Sequence, residues 1–185
     1  GAHYSLSPSS NVLLSLIDTD YDLLSKFSSS NSHLSASSRQ AESQYLFRAN
    51  RFNLVVGAGI TDADQNIDVS FTESKMIPPP VPPVAHRMLT GYLYGNLNWP
   101  RDTIWTMGLG YSNHEANKTD LANDFLPKLG VRWNIADDLS LRAAYLQTVK
   151  RNLTINQTIE PTQVAGFNQL FDDLNGTKAS LIGIG

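Results

Sequence analysis

Phe125-Leu126-Pro127-Lys128-Leu129-Gly130-Val131-Arg132-Trp133-Asn134-Ile135 is the stretch whose reading decides the fold. Phe125, Leu129, Val131 and Trp133 fall on one side of an alternating pattern, and Lys128, Gly130, Arg132 and Asn134 fall on the other. Side chains on a strand point to opposite faces with a period of two, so this segment reads as a strand with one apolar and one polar face. Wound into a helix, Lys128 and Arg132 would sit close to Leu129 and Trp133, and the apolar stripe would break up. Ala136-Asp137-Asp138 then supplies a tight turn. Beyond it Leu139, Leu141, Ala143 and Tyr145 alternate with Ser140, Arg142 and Ala144, which completes a hairpin.

The same form recurs outward from this hairpin. Leu89, Leu93, Leu97 and Trp99 alternate with Thr90, Tyr92, Tyr94, Asn96 and Asn98; Pro100-Arg101-Asp102 turns the chain; Trp105, Met107, Leu109 and Tyr111 alternate with Thr106, Gly108, Gly110 and Ser112. An earlier hairpin joins 44–48 to 52–60 through Ala49-Asn50-Arg51. The first joins 3–7 to 12–17 through Pro8-Ser9-Ser10-Asn11, and a last strand begins near Ala179. Connections alternate between short ones, near 8–11, 49–51, 100–102 and 136–138, and long ones, 19–40, 61–86, 113–123 and 149–178. Short turns at one end and long loops at the other are the layout of outer-membrane barrels, whose tilted strands cross in about nine to eleven residues. Trp99, Trp105 and Trp133 lie near short turns, and Phe47 and Phe52 flank another, where amphipathic rings would form a girdle at the headgroup level. The fold class expected is all-β: an antiparallel up-and-down meander of about nine strands, an incomplete segment of a transmembrane β-barrel. Residues 1–185 read as one partial barrel domain. Gly1-Ala2-His3-Tyr4 and Leu181-Ile182-Gly183-Ile184-Gly185 both read as strand interior, so both ends read as truncated.

Composition agrees. Of 185 residues, 17% are charged against 41% hydrophobic, below the roughly 25% charged share of soluble chains. The net charge is −3 with no basic stripe, which argues against nucleic acid as a partner. Without cysteine there is no disulfide scaffold and no thiolate metal site. No run approaches the ~18 apolar residues of a transmembrane helix, which is what alternating barrel strands produce.

Few motifs suggest chemistry. Asp62, Asp64, Asn66, Asp68 and Glu73 follow the donor spacing of a calcium loop, but Ile67 stands where the sharp turn requires Gly. Pro78-Pro79-Pro80-Val81-Pro82-Pro83 should form a stiff polyproline spacer. His114-Glu115 is the one close His/Glu pair, and no metal-ligand spacing, nucleophile elbow or phosphate loop is present, so no cofactor and no enzyme activity are expected. The segment from Lys150 to Lys178 is too long for an idle connection. Its Val164, Phe167, Leu170 and Phe171 could line one side of a short helix, packed on the outer rim or folded into the lumen.

The run from Asn156 to Asp173 (Asn156-Gln157-Thr158-Ile159-Glu160-Pro161-Thr162-Gln163-Val164-Ala165-Gly166-Phe167-Asn168-Gln169-Leu170-Phe171-Asp172-Asp173), with Asn175-Gly176-Thr177 and the approach Leu139–Tyr145, resembles a segment of large proteobacterial outer-membrane proteins. These carry tetratricopeptide repeats before a C-terminal barrel similar to that of TonB-dependent receptors. The resemblance covers about residues 137–178. It implies an outer-membrane location, a role in transport, export or reception of a solute, and a helical-repeat or plug region of the same full-length chain as a partner, alongside outer-membrane lipid and lipopolysaccharide. The lumen face expected from the alternation includes Gln44, Arg48, Asn53, Tyr92, Tyr94, Asn96, Lys128, Arg132 and Arg142; its basic residues would favour anionic solutes unless carboxylates elsewhere pair with them. In the long loop, Glu160, Gln163, Phe167, Asn168, Asp172 and Asp173 are the candidates for solute contact. Two other readings fit the strand pattern: a soluble secreted β-sandwich with carbohydrate-binding loops, and an outer-membrane barrel enzyme.

Overall fold

The structure is a computed structural model that describes residues 1–26, 28, 30–71, 82–117, 119–150, 157–170 and 177–185. Its strands are β1 (Ala2–Ser7), β2 (Ser10–Lys26), β3 (Ser30–Arg48), β4 (Phe52–Phe71), β5 (Val84–Asn98), β6 (Thr103–Ala116), β7 (Thr119–Ala136), β8 (Leu139–Val149), β9 (Gln163–Val164), β10 (Phe167–Asn168) and β11 (Lys178–Ile184). Nine of them form one antiparallel sheet in the order β1-β2-β3-β4-β5-β6-β7-β8-β11, with each strand beside its neighbour in the sheet order. Among the described residues no Greek-key crossing occurs and no second sheet of comparable size stacks on the nine-stranded one, which removes the β-sandwich reading. β9 and β10 pair only with each other.

The short turns fall where the alternation breaks. In the β5–β6 turn Asp102 adopts a left-handed backbone (φ 65°), a conformation Asp tolerates better than most residues. The long connections are different from expectation. Most of 19–40, 61–86 and 113–123 is strand: β2, β3 and β4 run for 17, 19 and 20 residues. They look like loops in the sequence because they carry polar residues, but ladder hydrogen bonds need only a neighbouring strand, not an apolar face.

One face of the sheet is apolar and uncovered. Leu93 (46% exposed), Leu109 (47%), Leu129 (49%) and Trp133 (48%) lie on it with Leu97, Trp105 and Leu141, all exposed, and Val131, half-buried. In a water-soluble domain such residues would be the core; a continuous exposed apolar face of this extent marks contact with another apolar phase. The outward side chains of β4 show its height. Phe52, Leu54, Val56, Ala58 and Ile60 are apolar, and from Asp62 the outward positions are polar. Across the sheet the change occurs at one level, because Asp18, Arg39, Asp62, Arg87 and Glu115 are successive register partners on β2 to β6. Two of these cross-strand pairs are ion pairs, Arg39–Asp18 at 3.8 Å and Arg87–Asp62 at 3.4 Å. Above that row the polarity of the sheet inverts without any register shift in β2–β5. Asp20, Asp22, His33, Asp64 and Asp68 point outward, whereas Tyr21, Leu23, Leu34, Ile67 and Val69 point inward.

Among the described residues most of the buried ones belong to the opposite, inner face or to the segment packed on it. Tyr92, Tyr94, Ala144 and Leu146 form a cluster with Val164, backed by Val55, Ala165, Phe167 and Leu181. The inner face is thus covered locally by the segment 157–170.

Candidate functional site: an inner wall covered by its own loop

The nine lumen candidates all lie on the inner face by register, but in two groups. Gln44, Tyr92, Tyr94 and Lys128 are buried. Arg48, Asn53, Arg132 and Arg142 are exposed toward the short-turn end, and Asn96 is half-buried and accepts a hydrogen bond from Thr106 Oγ1 at 2.8 Å. Arg132 and Arg142 are direct register partners. Arg142 stacks on the Phe167 ring, 4.9 Å from its centroid, and donates to the Gly166 carbonyl at 3.3 Å. Arg132 donates to Asn134 Oδ1 at 3.2 Å.

What buries the first group is the segment 157–170. Gln40 Nε2 donates to the Gln157 carbonyl at 3.0 Å, and Gln44 Nε2 to the Ile159 carbonyl at 2.5 Å. The Glu42 carboxylate accepts from Thr158 Oγ1 at 2.7 Å and from the Ile159 amide at 2.8 Å. Lys128 Nζ lies 3.2 Å from Glu160 Oε1, with both side chains almost fully buried. The ammonium also donates to Tyr94 Oη at 2.7 Å and to Gln169 Oε1 at 2.5 Å, while Tyr94 Oη donates to Glu160 Oε1 at 2.5 Å. Gln169 in turn donates to the Pro161 carbonyl. Two buried charges need a partner and a full set of hydrogen bonds, and this network supplies both. The positive charge expected at Lys128 is therefore matched by Glu160 from the loop of the same chain.

Val164 and Phe167 seat the rest of the segment. The expected short helix is replaced by a hairpin: Phe167 pairs with Val164 and Asn168 with Gln163 around Ala165-Gly166, whose φ values are 49° and 83°. Two successive positive φ values are those of the tightest hairpin turns and are incompatible with a right-handed helix. The i, i+3 apolar spacing misleads because residues flanking a two-residue turn are also three apart and face the same side. The wall is glycine at the points of closest approach. A Cβ at Gly130 would lie 2.7 Å from Ala165 Cβ and 3.0 Å from Val164 Cγ1, and one at Gly183 would meet the Phe167 ring at 2.5 Å. Gly57 and Gly108 clear the same kind of space for the rings of Tyr92 and Tyr94.

Of the loop candidates, Glu160 is buried against the wall, Phe167 is half-buried and packed on it, and Gln163 and Asn168 are exposed on the free edge. Asp172, Asp173 and Phe171 lie outside the described residues, as do Glu73 and residues 78–81 of the proline run. Asp62, Asp64, Asn66 and Asp68 lie on one face of the extended strand β4, so the turn that would gather them around a calcium ion is replaced by a straight ladder. Sequence reading missed Gln40, Glu42, Thr158 and Gln169. The first two continue the alternation of Gln44 up β3, a signal hidden by starting that strand at Gln44 and reading 19–40 as a loop.

It also missed a pair at the level of the outward charged row, with His86 one residue above it and His114 one residue below. His86 and His114 stack on the inner face with ring centroids 5.4 Å apart, and Nδ1 of His86 lies 3.3 Å from Nε2 of His114. Burial lowers both pKa values below 6.5, and the nearby His86 charge lowers that of His114 further. A depressed histidine pKa means that the unfolded chain binds protons more tightly. The pair's contribution to stability is then complete above pH 6.5 and is lost as pH falls from there through the lowered folded values. Ring resonances of both histidines in the folded protein should titrate with midpoints under 6.5, and His86→Asn should raise the His114 midpoint. Midpoints at or above 6.5 would show that the rings are hydrated and not stacked.

A family model described as TonB dependent receptor-like, beta-barrel matches residues 2–178. The chain belongs to this family. Among solved structures, this chain is similar in fold to a chain of the FpvAI–pyocin S2 complex, with 13% identity over 75% of this chain and 23% of that one, and a TM-score of 0.57. The alcaligin outer-membrane receptor FauA from Bordetella pertussis is similar over 80% of this chain and 34% of that one, with 15% identity and a TM-score of 0.42. This TonB-dependent receptor-like chain thus spans about a quarter to a third of the length of the structures it matches. No curated protein matches it. Its place is the bacterial outer membrane, and its family is one of transport and reception barrels. The apolar outer face is accordingly the lipid-facing wall.

Proposed function

We propose that residues 1–185 act as part of an outer-membrane barrel that passes or binds a solute, and that the segment 157–170 narrows the passage. The observation that carries this reading is the buried Lys128–Glu160 contact, which fixes the segment on the lumen side of the wall. Once the wall residues are covered, the surface offered to a solute is the free edge of the segment, where Thr162, Gln163 and Asn168 are exposed. Arg48, Arg132 and Arg142 remain exposed on the same face nearer the short turns and supply the anion preference that Lys128 cannot. Lipopolysaccharide would meet the outward charged row of Asp18, Arg39, Asp62 and Arg87, and a plug or helical-repeat region of the full-length chain would complete the passage. Deleting Gln163 to Asp173 from the full-length protein should raise solute flux by a factor on the order of several-fold, because the narrowest polar edge is removed. Unchanged conductance together with unchanged ligand binding would rule out a gating or binding role for the segment.

A further inference from the structure

We infer that the inner wall formed by Gln40, Glu42, Gln44, Tyr94 and Lys128 is a binding site for an acidic peptide, and that residues 157–160 are its built-in occupant. The contacts with the segment backbone support this. Gln40, Glu42 and Gln44 occupy alternate positions of β3 and so point the same way at intervals of about 6.8 Å. The outer two, four residues apart, reach inward to carbonyls that are only two residues apart on the segment. Gln40 takes the carbonyl of Gln157, Gln44 takes that of Ile159, and Glu42 between them takes the Ile159 amide. The wall therefore offers donor, acceptor, donor to a short length of peptide backbone, the two glutamine side chains converging on it from either side of Glu42. These three contacts depend on no side chain of the occupant.

Side-chain selection enters at two points. The second oxygen of Glu42 accepts the Thr158 hydroxyl at 2.7 Å. One residue beyond Ile159, the occupant's carboxylate meets the Lys128 ammonium and the Tyr94 hydroxyl. A charged acceptor facing an ammonium and a phenol, all buried, discriminates against a neutral amide, which cannot match the charge. Next to this contact lies a small cavity of about 30 Å³, lined by Thr90, Ser112, Thr158, Glu160 and Gln169. Ser112 Oγ faces it buried and without a hydrogen-bond partner among the described residues. The fit between wall and occupant is thus polar and incomplete, unlike the sealed Val164 anchor, as suits an occupant that can be exchanged. This inference concerns recognition and does not depend on whether the segment limits solute flux.

The test uses the full-length protein in detergent and a labelled synthetic peptide, acetyl-Gln-Thr-Ile-Glu-Pro-amide, with a second peptide carrying glutamine in place of glutamate. Residues 157–161 are replaced by a glycine-serine linker of equal length to clear the wall. The acidic peptide should bind this chain saturably and about tenfold or more tighter than the glutamine peptide. Lys128→Met in the same background should abolish that difference. Wild-type protein should bind the acidic peptide more weakly, since its site is filled. If the linker chain does not fold, Glu160→Ala in the full-length protein, which keeps the 163–168 hairpin, carries the same peptide comparison. Absence of saturable binding to whichever chain is folded would overturn the inference, and so would equal affinity for the two peptides.

Discussion

Lys128→Met in the full-length protein should release residues 157–162 from the wall while leaving the barrel strands paired. The substitution removes the ammonium but leaves the Glu160 carboxylate buried, with the Tyr94 hydroxyl as a remaining donor. Breaking one side of a buried ion pair costs about 3–5 kcal/mol, because the surviving charge keeps its desolvation penalty. Here the chain has a cheaper response than global unfolding: the segment can swing its carboxylate into water. Hydrogen exchange reports this directly. The Ile159 amide, now bonded to Glu42, and the Gln169 amide, now bonded to the Thr162 carbonyl at 3.0 Å, should lose about two to three orders of magnitude of protection. Amides of β5 and β7 should change little. Adding Glu160→Leu should restore much of the protection, since no unpaired charge then remains and the site is apolar on the Val164 side. Undiminished protection in Lys128→Met would mean that the apolar anchor alone holds the segment.

A charge placed on the outer face should have an effect of similar size that depends on height. Leu109 is in register with Leu93 and Pro127, midway between the turn end and the charged row, and is 47% exposed on the sheet itself. In lipid that exposure is to hydrocarbon. Leu109→Arg should therefore destabilise the folded barrel by about 2–4 kcal/mol, the cost of a cation near the bilayer midplane. Asn66→Arg lies above the charged row on the outward face of β4 and should change stability by less than about 0.5 kcal/mol. Urea titration of the full-length protein folded into lipid vesicles measures both. Equal effects at the two positions would show that Leu109 does not face lipid and that the sheet is packed against protein there.

The period-two alternation determined a great deal by itself. It placed the turns near 8–11, 49–51, 100–102 and 136–138, gave the meander, and sorted Gln44, Tyr92, Tyr94 and Lys128 from Leu93, Leu109 and Leu129, because side-chain direction along a strand is fixed by the backbone alone. It failed above the membrane, where β2, β3 and β4 continue through residues read as loop. Apolar-out patterning reports the solvent on each face, and once both faces meet water the pattern inverts at Asp18, Arg39 and Asp62 although the backbone pairing runs on unbroken. Only the tertiary structure decided what covers the inner wall. Lys128 and Glu160 stand 32 residues apart and Gln44 and Ile159 stand 115 apart, and no local pattern encodes a contact between a strand and a distant loop. The same apolar spacing of Val164 and Phe167 serves a helix or a two-residue hairpin. The glycines at 130 and 183 and the ion pair above them select the hairpin, because only that shape sets Val164 and Phe167 into the spaces the wall leaves open.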